Sequence, residues 1–418
     1  MPDTAITQRL RLPGGRPFHL ILLSLAVSSC GDWLYNVALL AFVFERTGSA
    51  TWVALTTAGR VLPVVILGPI GGVLADRYDR RRLIIASSMV RALLMVALAG
   101  IAAFGLPVIF APLVAAAATA IGVVEPPCVA ASTARFVADS QLQQAQALRA
   151  GIGQAAVVVG PALGAIVLLA STPAIAILLN ALTFLGSAAA VGSIASGPEF
   201  RPAARQSDAA APGVLSEIRA GANALRGAPA AITLVAADLL CSAVYGLLTV
   251  TLVFVSRKVG AGDGGFGLML AAFGAGGVVG AIVTARIEAA GRWRRTLAVA
   301  LALVGVPLAA LGVVSTLPLA LGLAFLGGGG MIVGEVLSET ALPRLLDDAV
   351  LARAYGLVFP ASVAGIVAGS LIAGPLLALF GLTGALAVAG VFVLALAALL
   401  LQRPLAPRPL NLHPAATT

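Results

Sequence analysis

Six ionisable side chains interrupt the long apolar runs of this 418-residue sequence, and their positions give them the strongest potential for chemistry. They are Asp32, Arg60, Arg91, Glu125, Asp238 and Glu335. A charged side chain at the centre of a lipid bilayer costs at least about 2.5–3.5 kcal/mol, so it is retained where it is paired or serves an ion or a substrate. Each of the six is therefore a candidate functional residue, provided that the apolar runs cross a membrane.

The composition indicates that they do. Hydrophobic residues make up 60% of the chain and charged residues 10%, and the mean hydropathy is +1.04. Soluble domains are about 45–50% apolar and about 25% charged. These values exclude an ordinary soluble enzyme, a disordered chain and a disulfide scaffold, and they favour a polytopic membrane protein.

Twelve apolar runs are long enough to cross a bilayer, which takes about 20 residues per helix. They cover 18–45, 50–75, 83–105, 107–130, 149–171, 173–196, 229–256, 263–286, 296–315, 317–339, 354–380 and 383–402. Pro107, Pro173 and Pro318 mark tight turns between neighbouring runs. The sequence thus predicts twelve transmembrane helices.

The distribution of basic residues predicts the orientation. If the N-terminus is cytoplasmic, 21 of the 26 Lys and Arg residues fall in cytoplasmic segments and three fall in outside loops. Cytoplasmic loops of membrane proteins carry this excess. The pattern predicts that both termini are cytoplasmic, and it attributes the net charge of +9 to topology rather than to nucleic-acid binding.

A polar stretch in the middle of the chain divides it into two halves. Residues 1–17 form a predicted cytoplasmic tail, 18–196 a six-helix bundle, 197–228 a cytoplasmic linker, 229–402 a second six-helix bundle and 403–418 a second cytoplasmic tail. Within the linker, Val214 to Leu225 are expected to form an amphipathic surface helix.

The two halves also resemble each other weakly. Thr133-Ala134 and Thr340-Ala341 are each followed at the same spacing by an Ala-x-Ala step and then by a span with a Gly-Pro step. The predicted fold is therefore an all-α membrane protein with two six-helix bundles related by pseudo-two-fold symmetry, as in many secondary transporters.

Depth along the helices suggests how the buried charges pair. At about 1.5 Å per residue, Asp32 and Arg60 lie about 21–22 Å from the cytoplasmic ends of the first and second spans. We therefore expect these two to form a pair. Arg91 and Glu125 lie in the cytoplasmic third of the third and fourth spans and form a second expected pair. Asp238 and Glu335 have no basic partner within the spans of their own half.

Four carboxylates against two arginines leave a surplus of acids. Removing a carboxylate from water favours its protonated form, which suits a carrier that binds and releases protons. The proton-coupling candidates are, in order, Asp32, Glu125, Asp238 and Glu335, and each of them has the alternative role of a structural ion pair or of a group reaching a headgroup or aqueous cavity. Arg60 and Arg91 are intramembrane basic partners, with structural and relay roles both open.

Residues 71–82, GGVLADRYDRRR, follow the second span and resemble the signature loop of the major facilitator superfamily. Together with Gly31-Asp32-Trp33 they resemble its drug/proton antiporter branch, which includes macrolide-efflux and enterobactin-exporter-type proteins. The resemblance implies that Asp76, Arg77 and Arg80 form a gating contact that favours the outward-facing state. The alternative is an arginine cluster that only holds the loop in the cytoplasm.

Other residues of this loop have roles that follow from their chemistry. Gly72 is expected to let neighbouring helices approach closely. The basic run that includes Arg81 is expected to anchor the loop to lipid headgroups. Asp79 replaces the second glycine of the family motif, and Asp tolerates the left-handed conformation better than most residues.

Two further departures from the family pattern stand out. In the second half, Thr284 occupies the position that corresponds to Asp76, so a gating role for that loop is doubtful. The superfamily's antiporters often carry an arginine in span four, and this chain has none there.

Span five contains glycines at a spacing that resembles the antiporter-type Gly-Pro motif of exporters. They are Gly151, Gly160 and Gly164, with Pro161 after the second of them. Small residues give a thin helix surface, which we expect to pack against a partner across the interface between the halves. An ordinary small-residue packing face is the alternative.

The resemblance and the buried charges predict a secondary active transporter that exports a hydrophobic or amphipathic small molecule in exchange for protons. The expected partners are this substrate, protons and membrane lipid, and no nucleic acid is expected to bind. The protein is expected to be a monomer in a bacterial inner membrane. No phosphate-binding Gly-x4-Gly-Lys loop is present, and His19 and His413 are the only histidines, so no ATP-driven step, enzymatic activity, cofactor or metal is expected. The alternatives are a uniporter or importer of a small metabolite, or a non-transporting receptor.

Overall fold

The computed structural model describes residues 14–201, 229–286, 293–345 and 348–402, and the regular structure in these ranges is helical. The predicted surface helix Val214–Leu225, most of the predicted linker and most of both tails lie outside these ranges.

Seven α-helices lie within the described residues 14–201. They are α1 Arg16–Thr47, α2 Ala50–Arg77, α3 Arg80–Ala103, α4 Phe110–Gly122, α5 Glu125–Phe136, α6 Leu142–Ala170 and α7 Pro173–Gly192. Five more α-helices lie in the described ranges after residue 201. They are α8 Pro229–Lys258, α9 Gly262–Arg286, α10 Trp293–Leu311, α11 Leu317–Leu345 and α12 Asp348–Gln402.

Eleven of the segments described are long and apolar enough to cross a membrane. The fourth of them, Phe110–Phe136, consists of α4 and α5 on either side of a break. The last, Ala361–Gln402, is 42 residues long and contains a non-helical residue, Gly381, with φ 65° and ψ −179°. That backbone conformation is accessible almost only to glycine, and it occurs where the sequence predicts a turn between two spans.

Prolines and glycines set the helix ends as expected from their backbone preferences. Pro173 is the first residue of α7, where its missing N–H is not needed. Gly48 and Gly105 adopt positive φ values of 60° and 66° in the connections that follow α1 and α3.

The chain forms two compact units. The first contains Met1–Leu39 and Ile66–Arg205, and the second contains Leu40–Val65 and Gln206–Thr418. In the first unit, a buried cluster around Ile21, Ile84, Cys128, Val191 and Phe200 joins α1, α3, α5 and α7.

In the second unit, small residues bring helix backbones into direct contact. A side chain at Gly369 of α12 would collide with the carbonyl of Ala243 in α8, and one at Gly328 of α11 would collide with the carbonyl of Phe273 in α9. Close backbone approach through small residues is characteristic of helix packing in membranes, where lipid tails compete for apolar contacts.

Candidate functional site

A buried arginine in the first unit holds two carboxylates from two different helices. Arg91 of α3 donates from Nη2 to both carboxylate oxygens of Asp32 in α1, at 2.8 and 2.7 Å. Its Nη1 donates to Oε2 of Glu125 in α5 at 2.6 Å. The Arg91 side chain is 9% exposed, Glu125 15% and Asp32 33%. The cluster is therefore enclosed on the arginine side and most open at Asp32.

Local sequence explains how Glu125 reaches this position. Helix α4 ends at Gly122 and α5 begins at Glu125, and Pro126 and Pro127 occupy the next two positions. Neither proline has an N–H, so neither can donate to a preceding carbonyl to continue α4. Glu125 is thus the first residue of a new helix, where the partial positive charge of the N-terminus favours a carboxylate.

Neighbouring residues hold the guanidinium of Arg91 and the carboxylate of Glu125 in place. The ring of Phe184 in α7 lies beneath it, with 4.0 Å from the guanidinium carbon to the ring centroid, in cation–π geometry. Gly122 leaves room for it, since a Cβ at that position would lie 3.2 Å from the guanidinium. Ser88 donates from Oγ to Oε1 of Glu125 at 3.0 Å and fixes the second acid.

The structure contains the predicted Arg91–Glu125 pair but corrects the partner of Asp32. Asp32 was expected to pair with Arg60, and it contacts Arg91 instead. Arg60 belongs to the second unit, within electrostatic range of Tyr245. The prediction used depth along the helix axis, which does not determine the face of the helix from which a side chain projects.

Three residues of this site, Phe184, Gly122 and Ser88, were not identified from the sequence. Phe184 and Gly122 are an aromatic residue and a glycine in apolar spans, where such residues are ordinary. Ser88 had one usable signal, because it lies three residues before Arg91 and therefore on the same helix face.

The two remaining acids, Asp238 and Glu335, lie on α8 and α11 of the second unit. Ser362 of α12 donates its hydroxyl to Asp238 of α8. Cys241 lies one turn after Asp238, and its Sγ is 3.7 Å from the Cβ position of Gly334, the residue before Glu335. The thiol lies within electrostatic range of both acids. Cys241 therefore lies between the two acids in sequence and contact, on the side of α8 that packs against α11.

The loop between α2 and α3 contains an ion pair between two of the three residues of the expected gating contact. Asp76 is 80% exposed, with Oδ1 3.8 Å from Nη2 of Arg80, and Arg77 is also exposed. Arg80 is buried and donates from Nε to the carbonyl of Ala75 at 3.1 Å. Arg80 therefore satisfies a carbonyl at the C-terminus of α2 in addition to its contact with Asp76.

Two expectations for this loop are corrected. Among the described residues, a Cβ at Gly72 would meet nothing within 4 Å, and the close approach is at the preceding Gly71, against the carbonyl of Val123 at the helix break. Asp79 has φ −61° and caps α3 by accepting from the Arg82 amide, so it needs no left-handed conformation. Arg81 donates to the carbonyl of Gly192 at 2.5 Å, and its expected contact with lipid headgroups stays a prediction.

The glycines of α6 pack as a thin surface, but on a helix of the same unit. A side chain at Gly160 would collide with Trp33 and the carbonyl of Cys30, and Gly164 faces the carbonyl of Leu34. The partner is thus α1, whereas the sequence suggested a helix of the other half. A Cβ at Gly151 would contact nothing within 4 Å in the part of the chain that the structure describes, and Pro161 lies inside α6.

Comparisons with known proteins agree with this architecture. The profile of a family described as "Transmembrane secretion effector", a family of major facilitator transporters, matches residues 15–416. The chain belongs to this family. It is therefore a multi-pass membrane transporter of the major facilitator superfamily, which confirms the resemblance seen in the sequence.

Short segments match two curated bacterial proteins. One is an uncharacterised MFS-type transporter, YfiS, of Bacillus subtilis, 39% identical over 77 residues. The other is macrolide efflux protein A of Streptococcus pyogenes, 32% identical over 73 residues. Each match spans 18% of this chain and 18% of the relative, so what a whole relative transports is not carried over by similarity alone.

Solved structures share the fold over nearly the whole chain. The nucleoside transporter NupG superposes with a TM-score of 0.75 at 10% identity, covering 92% of this chain and 98% of that one. A point mutant of a peptide transporter, POT, gives 0.70 at 13% identity, covering 92% and 93%. At such identities the likeness establishes the fold and carries no information about substrate.

Proposed function

We propose that this protein is a proton-coupled exporter of a hydrophobic or amphipathic small molecule. The observation that carries the proposal is the pair of carboxylates, Asp32 and Glu125, on the buried guanidinium of Arg91. Buried ionisable groups within membrane spans commonly form proton relays or substrate sites in transporters.

The charges of this cluster suit the binding of a single proton. With both acids ionised, the three groups carry one net negative charge, and one proton makes the cluster neutral. Interacting groups of this kind take up protons as a unit, so the proton belongs to the pair rather than to one residue. Protonation of either acid would weaken its contact with Arg91, and thus the connection of α3 to α1 or to α5.

Asp32 is the better candidate for the group that senses substrate, because it is the more exposed of the two acids. Asp238 and Glu335 remain second candidates for proton or substrate binding in the other unit. We also propose that Asp76, Arg77 and Arg80 make a gating contact, which is present in one state of the transport cycle and broken in the other.

The proposed topology has twelve spans in two six-helix bundles, with both termini in the cytoplasm and the protein, as a monomer, in a bacterial inner membrane. The 42 residues Ala361–Gln402 support the count, because a helix of that length measures about 63 Å, about twice the apolar thickness of a bilayer. The positive-inside pattern supports the orientation.

Macrolides are the first substrate class to test, because the Streptococcus pyogenes relative is named as a macrolide efflux protein. We suggest measuring accumulation of radiolabelled erythromycin in bacteria that lack their own major efflux pumps. Cells that express this protein should accumulate less than control cells, and a protonophore or Asp32→Asn should restore accumulation at equal protein levels.

The assay separates the alternatives. Reduced accumulation that persists with the protonophore would contradict proton coupling. Increased accumulation would indicate import, and would make the buried acids substrate ligands or structural groups. If erythromycin does not respond, the same assay with lipophilic cations and siderophores tests the other proposed substrates.

A further inference from the structure

Three buried serines extend from Glu125 into the interior of the first unit. Ser88 of α3 donates to Glu125, and its Oγ lies 3.4 Å from Oγ of Ser187 in α7. Ser187 Oγ lies 2.6 Å from Oγ of Ser24 in α1. Ser88 and Ser187 are fully buried and Ser24 is 4% exposed. These contacts form one continuous hydrogen-bonded chain across three helices.

The three serine hydroxyls can pass a proton along their hydrogen bonds. A hydroxyl both donates and accepts, and in both serine–serine contacts either oxygen can be the donor. The three hydroxyls can therefore reverse their donation together. A proton that enters at one end releases another at the far end, and each serine stays neutral with one O–H bond formed and one broken.

The hydrogen-bonded serines lead away from the exposed side of the site. Ser24 precedes Asp32 by eight residues on α1, which displaces it about 12 Å along the axis toward Arg16. The exposed member of the acid cluster is Asp32, whereas the serines are enclosed. The hydroxyls thus extend away from the side on which the cluster is most accessible.

We propose that Ser88, Ser187 and Ser24 form a proton relay that leads from Glu125 toward the Arg16 end of the first unit, apart from the opening at Asp32. This inference rests on the proposed role of Glu125 as a proton carrier. It gives protons a route that substrate does not occupy, so that a substrate bound at Asp32 does not obstruct proton exchange at Glu125.

The groups that face Glu125 define its electrostatic surroundings. Arg91 of α3 and Asp32 of α1 act on it directly, and Cys128 lies on its own helix. Tyr35 of α1 acts on Arg91. Substitutions of the serines on α1 and α7 alter none of these groups, so the rate of proton exchange can be tested without changing a charge.

The test measures how fast Glu125 takes up a proton in the full-length protein in lipid nanodiscs. A rapid shift from mildly alkaline to mildly acidic pH is followed by the infrared C=O stretch of protonated carboxyl groups, and Glu125→Gln identifies the part of the signal that depends on Glu125. No substrate is needed, so the measurement does not depend on knowing what the protein exports.

Ser187→Ala should slow the Glu125 signal about 100-fold, the lower end of the contribution of a positioned proton-transfer group, and leave its final amplitude unchanged. Ser24→Ala should act in the same direction, and it provides the test if Ser187→Ala does not fold. Ser187→Thr keeps a hydroxyl and should recover most of the rate.

Ser132→Ala is the matched control. Ser132 is fully buried in the same unit, but its hydroxyl makes no hydrogen bond within the described residues, so its removal should leave the rate unchanged. Wild-type rates in Ser187→Ala and Ser24→Ala, or the absence of a Glu125 signal in the wild type, would overturn the relay. A relay that behaves as expected in a protein without proton-coupled transport would instead reject the proposed function alone.

Discussion

At the scale of single residues, the proposed proton coupling depends on Arg91 and on its two acids. The guanidinium is buried, and the cluster contains a second acid close to the first. Removing one partner of a buried ion pair leaves uncompensated charge, which is far more costly than replacing the whole set. If the three groups form a true charge cluster, removing Arg91 alone should therefore cost more stability than neutralising all three groups together.

Arg91→Ala is therefore expected to destabilise the protein by about 3–5 kcal/mol, the cost of breaking a buried pair. Adding Asp32→Asn and Glu125→Gln should recover a large part of the loss, because the remaining groups are then neutral. Thermal unfolding of purified protein in detergent measures both effects. Arg82→Ala removes an exposed charge from the same helix and should change little; equal losses in both single variants would refute the cluster.

The sequence located the six charges within the apolar segments and predicted one of their pairs from composition and spacing alone. It could not predict that Asp32 and Glu125 share Arg91, because a helix turns by about 100° per residue and depth does not define direction. The contacts that position Arg91 were equally hidden, since Phe184 and Gly122 carry no polar signal. Tertiary contacts between residues 59 and 34 positions apart in the chain created the site.

At the scale of elements, two features position the site: the break between α4 and α5, and the glycine surface of α6. The prolines after Glu125 made the break readable in principle, yet the apolar run was predicted as one span because hydrophobicity continues across it. The glycine motif was recognised, but its partner was not, because small residues permit close packing without specifying against which helix.

The α6 surface gives a prediction with an internal control. Gly160→Ala should destabilise the first unit by about 1–3 kcal/mol, because the added methyl group meets the Cys30 carbonyl and the Trp33 side chain. Gly151→Ala on the same helix should be neutral or slightly stabilising, since no described residue lies near that position. Thermal unfolding compares the two. Equal effects would show that helix propensity, and not packing on α1, governs these positions.

At the scale of the whole molecule, composition was sufficient for the class of protein, and the family match confirmed it. Eleven candidate spans were found in the described ranges against the twelve predicted, and the difference arises at Gly381, where one long helical segment contains the predicted turn. The orientation rests on the distribution of basic residues among the loops. The positions of the termini relative to the membrane therefore stay a prediction.

The only lysine of the chain offers a direct test of that orientation. Lys258 is exposed at the end of α8, and the proposed topology places it outside the cytoplasm. A membrane-impermeant amine reagent should label the protein in intact spheroplasts, and Lys258→Arg should abolish the labelling. Labelling that requires permeabilised membranes would invert the topology.

The most direct test of the central claim is proton movement in proteoliposomes that contain a pH-sensitive dye. An imposed erythromycin gradient should drive protons in the opposite direction through the wild-type protein, and neither Asp32→Asn nor Glu125→Gln should support this flux although both insert normally. Ser132→Ala should behave as the wild type. Erythromycin movement without any proton flux, or proton flux that is unchanged in both acid variants, would contradict the account.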